Sequence, residues 1–434
     1  MDAGDVEVVV VGGGLAGLTA AALLGRAGRS VEMIERAAEP GGRARTKERS
    51  GFLFNQGAHA LYAAGAAREV LRELDVPVRG APPPLSGSFA LRAGKLHTLP
   101  TGPVSLLSTG LLPLRQKAQV ARLLASLPGL DAARWDGAQL SAFLDGQRLG
   151  GCARQLAEAL FRLTTYVNAP DLADAGAALR QLQKGQAGSV LYLHGGWGNL
   201  VAALADRARV HGTRLSLGRR ASAIERAGSG WAVALAGGDS RRCRAVVLAL
   251  SPRAACSLLP ARAAPRLRVF ASEAVPIEAA CLDLGLRKLP RPRALFALGI
   301  DAPLYLSVHS SAARLAPEGA ALLHAMKYLA PGAPAGEDDA RELEALVDRV
   351  QPGWREEAIE RRFMARMTIS HALVRADRGG LCARPAAAAD GLERIFLAGD
   401  WVGPVEMLAD ASCASAKSAA RACLGVLGAR EAAA

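Results

Sequence analysis

Several features that mark common classes of protein are scarce or missing in this sequence. Aromatic residues account for 4% of its 434 residues, and no apolar run reaches the ~18 residues of a membrane-spanning helix. The seven cysteines are widely spaced without a C-x-x-C pair, and an odd number is not typical of a disulfide framework. The seven histidines lack metal-ligand spacing, so no metal site is predicted. The acidic N-terminus does not resemble a secretory signal, and these absences together favour a cytoplasmic protein.

The charge is strongly one-sided, with a formal net charge of +13. Such an excess is compatible with a nucleic-acid partner. The basic residues are mostly arginines scattered along the chain, however, and no zinc, RRM or helix-turn-helix signature accompanies them. We therefore expect a general arginine and alanine bias and no nucleic-acid partner.

One apolar stretch, PVSLLSTGLLPL at 103–114, is too short to cross a bilayer. Packing into the protein core is the simpler interpretation. Contact with a membrane surface is the alternative, and it would make the protein a peripheral one.

Near the N-terminus, four valines run directly into three glycines in VVVVGGGLAG at 8–17. A short β-branched run predicts a strand buried on both faces, and 18–28 is typical of a helix. Between them, Gly12, Gly14 and Gly17 form a Gly-x-Gly-x-x-Gly turn, whose free N–H groups attract phosphate together with the helix dipole. A glycine turn between a strand and a helix predicts dinucleotide binding.

Two further elements narrow the identity of the dinucleotide. A second strand is predicted at 30–35 and ends in Glu35, close to the ~20-residue spacing of the acid that binds a ribose hydroxyl. The acid also disfavours a 2′-phosphate by charge repulsion. Gly41, Gly42 and Arg43 follow, and this second glycine-arginine element suits the long FAD molecule better than NAD.

The residues from 8 to 59 resemble the N-terminal signature of the FAD-dependent flavin amine oxidase and phytoene desaturase superfamily. YLHGGWGNLVAALADRARVHGTRLSLGRRASAIER at 192–226 and RIFLAGDWVGPVEMLADASCASAKSAA at 394–420 resemble its middle and C-terminal segments. The resemblance implies an α/β fold with a Rossmann-type, glutathione-reductase-like FAD-binding domain. This domain is expected to be discontinuous, formed by 1–80, 189–265 and 385–434. An inserted α+β substrate domain is expected at 81–188 and 266–384, with a helical segment over 89–183.

The family pattern implies roles for individual residues. The turn from Gly12 to Gly17 would hold the pyrophosphate, Glu35 the ribose, and Asp400 the ribityl or pyrophosphate side. A helix that begins near Met407 and Leu408 would face flavin O2, where its N-terminus stabilises negative charge. The full predicted cofactor-binding set is Gly12, Gly14, Leu15, Ala16, Gly17, Glu35, Arg36, Gly41, Gly42, Arg43, Gly57, Ala58, His59, Ala221, Gly399, Asp400, Met407 and Leu408.

Residues for catalysis and substrate binding are less strongly indicated. His59 lies in the turn expected against the isoalloxazine and is a candidate for proton transfer, or a structural residue of that turn. Lys327 is a candidate for the lysine that flavin amine oxidases place near N5, with a surface lysine as the alternative. Tyr166, Tyr328 and Trp401 are candidates for lining the substrate pocket, or parts of the core.

The expected reaction is transfer of a hydride from a C–H bond to flavin N5. We find no aromatic pair typical of an amine cage, so an apolar polyene or isoprenoid-like substrate is the first hypothesis. Flavin amine oxidase is the second and a redox-neutral carotenoid-type isomerase the third. A non-catalytic scaffold, as in Rab GDP-dissociation inhibitors, is the alternative outside enzymes. The sequence does not specify the electron acceptor, oxygen, quinone or other, or the oligomeric state.

Overall fold

A computed structural model describes residues 5–334 and 336–428. The strands are β1 (Val6–Val11), β2 (Val31–Glu35), β3 (Thr46–Arg49), β4 (Phe52–Asn55), β5 (Leu61–Tyr62), β6 (Gly80–Ala81), β7 (Ser88–Arg92), β8 (Lys95–Thr98), β9 (Val190–Leu193), β10 (Arg214–Leu217), β11 (Ala221–Ala227), β12 (Gly230–Leu235), β13 (Ser240–Leu248), β14 (Ile277–Leu286), β15 (Phe296–Gly299), β16 (Leu304–Val308), β17 (Ala321–Tyr328), β18 (Ala358–Ser370) and β19 (Ile395–Leu397). The α-helices are α1 (Leu15–Arg26), α2 (Ala66–Glu73), α3 (Pro103–Ser108), α4 (Leu114–Ser126), α5 (Leu140–Gly146), α6 (Gly151–Thr165), α7 (Ala175–Gly188), α8 (Trp197–Val210), α9 (Pro252–Leu258), α10 (Pro265–Glu273), α11 (Glu337–Val350), α12 (Trp354–Glu357) and α13 (Leu408–Leu427).

The first large sheet is built from strands that are far apart in the sequence. β10, β2, β1 and β13 lie side by side and parallel, and β19 adds to β13 in parallel as well. β12 and β11 continue the sheet from β13 as an antiparallel meander. The valines of β1 are buried on both faces of the sheet, as their β-branched run predicts. The parallel part has the order expected of a Rossmann-type domain, with helices on its faces.

Helices cover one face of this sheet. α1, α8 and α13 pack there, with α2 against α13, around Leu18, Leu24, Leu204 and other buried apolar residues. Trp231, Trp401 and residues of α9 and α10 form a second apolar layer. Because β1, β2, β13 and β19 run parallel, their carboxyl ends meet at one edge of the sheet between these two layers.

A second seven-stranded sheet has the order β18-β14-β17-β16-β15-β7-β8. One of its faces packs against α11 through Leu343, Leu346 and Val347. Its other face carries Met326, Tyr328 and Met367 toward Ala58, in the turn after β4. This sheet and the helices α4 to α7 lie in the stretches that we predict to form the substrate domain, whose boundaries stay a prediction.

The helical segment expected over 89–183 is shorter than predicted. Helices occupy the stretch from α3 onward, but it opens with the β7–β8 hairpin, and the prediction of helix there was wrong. Ala93 and Gly94 form the hairpin turn, both with positive φ, at 46° and 73°. Alanine rarely adopts this conformation. The Ala-Gly turn therefore does not carry the Asn-Gly sequence that makes such hairpins recognisable. Within the described ranges, no helix combines the length and apolarity needed to span a bilayer.

Candidate functional site

The three glycines of the turn after β1 are required for different reasons. Gly12 has a φ of 106°, and a Cβ atom there would lie 2.4 Å from the carbonyl oxygen of Ala249. A Cβ at Gly17 would lie 1.8 Å from the carbonyl oxygen of Gly12, so α1 packs on the turn only without a side chain. At Gly14, the N-cap of α1, a Cβ would meet nothing within 4 Å. Gly12 and Gly17 are therefore required by the fold, while Gly14 borders open space at a helix N-terminus, which suits a phosphate group.

Glu35, at the end of β2, points its carboxylate at the same turn. One oxygen accepts a hydrogen bond from the N–H of Gly13 at 2.6 Å, and the other accepts from the N–H of Ala37 at 2.8 Å. The carboxylate is thereby fixed next to the open space at Gly14, and each oxygen keeps a lone pair for a hydroxyl group. The N–H of Arg219 donates to the backbone carbonyl of Glu35, which brings the chain before Ala221 to the same edge. Arg36 is exposed.

The second glycine pair faces the first turn directly. Gly41 and Gly42 have φ values of 115° and 54°, and the N–H of Gly41 donates to the carbonyl of Gly13 at 2.6 Å. A Cβ at Gly42 would lie 3.4 Å from the Cα of Gly14. Two glycine turns therefore present bare backbone to one another, as close approach to an extended ligand requires.

Arg43 joins this glycine pair to Asp400, which is 357 positions away in the sequence. Its guanidinium donates to the Asp400 carboxylate at 2.9 Å and to the carbonyl oxygen of Ile369 at 2.6 Å. His371 completes the group, because its N–H donates to Asp400 at 3.1 Å and its Nδ1 lies 3.0 Å from the other carboxylate oxygen. Burial alone would raise the pKa of Asp400, but Arg43 and His371 outweigh burial and hold that pKa well below its usual range.

His371 and Ile369 are part of this group and were not predicted. Ile369 lies at the end of β18 and His371 directly after it, in a stretch that carries no recognisable motif. A histidine after a strand gives no signal by itself, since nothing in the local sequence specifies that it meets Asp400.

The turn after β4 lies against the second sheet. Gly57 has a φ of 77°, and a Cβ there would lie 2.5 Å from Cε of Met367. Nδ1 of His59 lies 3.1 Å from the carbonyl of Gly57, and the ring meets Trp197 edge-on at 5.2 Å. Because a carbonyl accepts hydrogen bonds, Nδ1 carries the hydrogen and Nε2 keeps the lone pair. Burial lowers the pKa of His59 to about 4, so the ring is neutral at physiological pH.

The C-terminal segment approaches from the strand β19. Gly399 is tied to α13 because its N–H donates to Oγ of Ser415 at 2.9 Å. α13 begins at Leu408, as predicted, with Met407 as N-cap and buried against Ala177. This arrangement places the chain around Asp400 and the start of a 20-residue helix at the edge that carries the glycine turns.

Tyr166 and Tyr328, two predicted substrate residues, are brought together. Their rings meet edge-on at 6.0 Å, and both belong to the apolar cluster around Ala58, Met326 and Met367. They therefore lie beside the turn from Gly57 to His59.

Lys327 and Trp401 lie away from the tyrosine pair and from the turn that carries His59. Lys327 neighbours Tyr328 on β17, so the two side chains point to opposite faces of the sheet. Its ammonium pairs with Asp339 at 2.8 Å and Glu342 at 2.6 Å on α11, behind the sheet. The fully buried ring of Trp401 stacks on Phe270 and donates to the carbonyl of Leu250. A catalytic role for Lys327 and a substrate role for Trp401 do not fit this geometry.

The face of the second sheet that carries Met326 and Tyr328 also holds a buried charged group that was not predicted. Oδ1 of Asp283 lies 2.5 Å from Nδ1 of His324 and 3.1 Å from the thiol of Cys281, and Oδ2 accepts from Nε of Arg362 at 3.1 Å. Cys281, Asp283 and His324 stand within 4.8 Å of one another, at a spacing that permits metal binding. The guanidinium of Arg362 already balances the charge of Asp283, however.

The residues at the carboxyl edge of the first sheet fit FAD. The open backbone at Gly14 and Gly42 suits a pyrophosphate, and the fixed carboxylate of Glu35 suits a ribose. Brought together at the ends of parallel strands, they occupy the position where such folds bind dinucleotides.

Comparison with known proteins agrees with this assignment. The model of a family described as flavin containing amine oxidoreductase matches residues 15–424. An oxidoreductase from Methanosarcina mazei superposes with a TM-score of 0.74 at 18% identity, covering 95% of this chain and 99% of that one. Cyclohexylamine oxidase from Brevibacterium oxydans superposes with a TM-score of 0.70 at 17% identity, covering 98% and 100%. These identities show a shared fold.

A match to a relative with a named activity covers only a short part of the chain. The chain is 52% identical to one of the subunits of limonene dehydrogenase from Castellaniella defragrans over 56 residues, which are 13% of this chain and 10% of that protein. The match therefore spans about a tenth of the relative's length. The family model, by contrast, covers most of the chain, including the glycine pair, Arg43 and Asp400. This chain belongs to the flavin-containing amine oxidoreductase family and is a FAD-dependent oxidoreductase.

Proposed function

We propose that this oxidoreductase removes a hydride from a C–H bond of an apolar, terpene- or polyene-like molecule. The observation that carries the proposal is the face of the second sheet beside the turn from Gly57 to His59. It presents Met326, Tyr328 and Met367, with Tyr166 opposite. An apolar surface of this kind favours an apolar ligand.

The carboxylate of Asp283, which lies on the same face, supports an apolar substrate. Asp283 is fully buried and already accepts hydrogen bonds from Cys281, His324 and Arg362. It is therefore not free to pair with an ammonium group. The local match to a limonene dehydrogenase points in the same direction, toward a terpene.

The chain's own residues bind, orient and shield in this reaction. FAD, when bound, supplies the hydride acceptor at N5. Glu35 and the two glycine turns hold the dinucleotide, and the Arg43–Asp400 pair fixes its middle part. Tyr166, Tyr328 and Met326 exclude water from the reacting carbon, and His59 presents the lone pair of a neutral Nε2.

Amine oxidation is the second candidate function. Its support is the family itself and the whole-length similarity to cyclohexylamine oxidase. Under this alternative the same face would hold an uncharged amine.

We also propose that the protein makes peripheral contact with membranes through α3 and the start of α4. Val104, Leu107 and Leu114 are 80%, 70% and 79% exposed, which is unusual for large apolar side chains. Arg115 and Arg122 are exposed on the adjoining helix and suit anionic headgroups. An apolar substrate dissolved in the bilayer would be collected at such a surface.

The test is anaerobic mixing of the oxidised holoenzyme with limonene, a C40 polyene, a porphyrinogen and cyclohexylamine, while flavin absorbance is followed. We expect bleaching by limonene or the polyene. Bleaching by cyclohexylamine alone would replace the proposal with the amine alternative. Conversion of a polyene isomer without net bleaching would support the isomerase hypothesis instead.

A further inference from the structure

A group of polar side chains is buried behind the turn from Asn55 to His59 and has no role in the reaction proposed above. We refer to Cys281, Asp283, His324 and Arg362 as the polar cluster. Asp283 and His324 have no exposed surface, and the cluster lies on the sheet face that carries Met326 and Tyr328. Burying such groups is costly unless they are paired, and groups of this kind often mark functional sites.

The carboxylate of Asp283 is fully satisfied by its donors. Oδ1 accepts from the thiol of Cys281 and from Nδ1 of His324, while Oδ2 accepts from Nε and Nη2 of Arg362. Because Nδ1 of His324 donates to a carboxylate, it carries the hydrogen, so in the neutral ring Nε2 carries the lone pair. A carboxylate thus fixes both the tautomer and the direction of an imidazole, as it does for a positioned general base.

Nε2 of His324 is buried and has no hydrogen-bond partner among the residues that the structure describes. The ring of His309 meets the ring of His324 edge-on, with centroids 4.5 Å apart. A buried acceptor held without a donor is available to take a proton from a bound molecule.

A metal ion is a weaker explanation of the same residues. Zinc binds the thiolate form of cysteine. Burial and the neighbouring Asp283 raise the pKa of Cys281 well above its usual value, so it remains a thiol that donates to Asp283. A cation here would also face the guanidinium of Arg362.

The polar cluster touches the turn that is expected to line the flavin ring. Nη2 of Arg362 donates to the backbone carbonyl of Asn55. Sγ of Cys281 lies 3.3 Å from the position that a Cβ on Gly57 would occupy. In the sheet, His324 is two residues from Met326 and so shares its face. The free Nε2 thus belongs to the face on which the proposed substrate would lie.

We propose that Nε2 of His324 accepts the proton that leaves the substrate in a desaturation, and that Asp283 is the positioning residue for it. The inference rests on the proposed function and narrows its substrate class to molecules with two neighbouring C–H bonds that become a C=C bond. A hydride with its electron pair leaves one carbon for FAD, the oxidant, and a proton leaves the neighbouring carbon for His324. The electron pair of the second C–H bond becomes the new π bond, and the imidazolium later returns its proton to solvent.

Several titratable or charged groups lie around His324 and bear on the pH dependence of this step. The groups that face His324 from the elements packed around it are Cys281 and Asp283 on β14, Tyr305 on β16, His309 after β16, Arg362 on β18, Tyr192 on β9 and His59 in the turn after β4. Burial lowers the pKa of His309 and raises the pKa of each of the two tyrosines, so these three stay neutral in the physiological range.

The experiment compares wild-type holoenzyme with His324→Gln and with the control His97→Gln, a histidine on β8 of the same sheet. Anaerobic reduction by limonene and by the polyene is followed by stopped flow from pH 3.5 to 9, and FAD content is measured for each protein. We expect the wild-type rate to rise with pH through one step, because a base accepts a proton only in its unprotonated form. His324→Gln should keep its FAD, lose about 10²–10⁴-fold in rate and lose that step, whereas His97→Gln should match the wild type.

The outcomes separate the two proposals. If limonene or the polyene reduces the wild type, and His324→Gln keeps the rate and pH step, the role of His324 is overturned while the proposed function stands. If only cyclohexylamine reduces the wild type, the proposed function fails and the desaturation with it. If His324→Gln does not fold, the wild-type profile decides: a step near pH 4, where His59 titrates, assigns the proton to His59 and overturns the inference, while a profile without a step near pH 4 supports it.

Discussion

Gly14 and Gly17 lie three positions apart in one motif, yet their surroundings differ. Gly14 has ordinary backbone angles, with φ at −75°, and borders open space, whereas Gly17 is pressed against the carbonyl of Gly12. We therefore expect Gly14→Ala to leave the melting temperature of the apoprotein unchanged and to weaken FAD binding at least ~10-fold, because the methyl group occupies the ligand's space. Calorimetric titration with FAD and thermal unfolding of the apoprotein check this.

Gly17→Ala is the matched comparison for that prediction. Its methyl group clashes with backbone in the protein itself, so it should lower the stability of the apoprotein as well as FAD affinity, by roughly 1–3 kcal/mol for overpacking. Equal loss of apoprotein stability in both variants would contradict the separation of a fold glycine from a ligand glycine.

Asp400 contributes to stability as well as to the cofactor site. Its carboxylate is 2% exposed, whereas Arg43 is 35% exposed, so the ion pair is partly screened. We expect Asp400→Asn to destabilise the apoprotein by about 2 kcal/mol at pH 7, at the low end for a charged buried group. Urea unfolding of both proteins measures the difference.

The pH dependence of this loss follows from the lowered pKa of Asp400. A carboxyl whose pKa is lower in the folded state stabilises the fold above its unfolded value of about 3.9, and this contribution disappears as the pH falls through the folded value. The stability difference between wild type and Asp400→Asn should therefore narrow below about pH 4. A difference that grows on acidification would mean that Asp400 is not held ionised by Arg43 and His371.

At the scale of single elements, β17 separates two functions by the alternation of its side chains. Tyr328 and Met326 face the turn at His59, while Lys327 faces α11. We expect Lys327→Met to keep both FAD and the rate of flavin reduction, and to lose roughly 0.5–1 kcal/mol through the broken pairs with Asp339 and Glu342.

Glu342→Gln gives the matched control, because it removes one partner of the same ion pair from α11. Glu342→Gln should lose less stability than Lys327→Met in unfolding experiments, because the pair with Asp339 remains, and both variants should keep wild-type bleaching kinetics. A tenfold slower flavin reduction in Lys327→Met alone, with FAD retained, would restore the catalytic role that the sequence allowed for this lysine.

Elements with strong local patterns were predictable from the sequence, and pairings between distant strands were not. The valine run, its glycine turn and the helix after it emerge at the expected positions because burial on both faces leaves a continuous apolar signature. The β7–β8 hairpin was missed because its strands are short and its turn is Ala-Gly. Strand register decides which side chains face Asp283, and neither His324 nor Arg362 carries a motif that specifies that register.

At the scale of the whole molecule, the parts of the site that could be predicted are again those that carry a sequence pattern. Gly41, Gly42 and Arg43 were predicted from their own glycine-arginine element and Asp400 from the family pattern, although 357 positions separate Arg43 from Asp400. His371 meets the same carboxylate only because β18 ends beside β19 in the folded chain. Sequence patterns thus predict the surroundings of the cofactor, while the face toward the substrate depends on how the two sheets pack.

The exposed apolar side chains of α3 and α4 concern the molecule as a whole, since they would orient it on a membrane. Burying a leucine side chain in an apolar phase is worth about 1.5–3 kcal/mol. We therefore expect the Leu107→Glu/Leu114→Glu double variant to lose ~100-fold or more in affinity for vesicles of phosphatidylcholine with phosphatidylserine. Vesicle co-sedimentation measures this, with FAD content as the check on folding.

Val210→Glu is a suitable control for the vesicle experiment, because Val210 is 71% exposed at the end of α8, outside the proposed contact. It carries the same charge change on a comparably exposed side chain, so a general effect of added negative charge would appear in it as well. Because Arg115 and Arg122 adjoin the apolar patch, wild-type binding should weaken as salt shortens the screening length. Binding that is lost equally in Val210→Glu, or that depends on charge without regard to Leu107 and Leu114, would assign the interaction to the net charge of +13 instead of this surface.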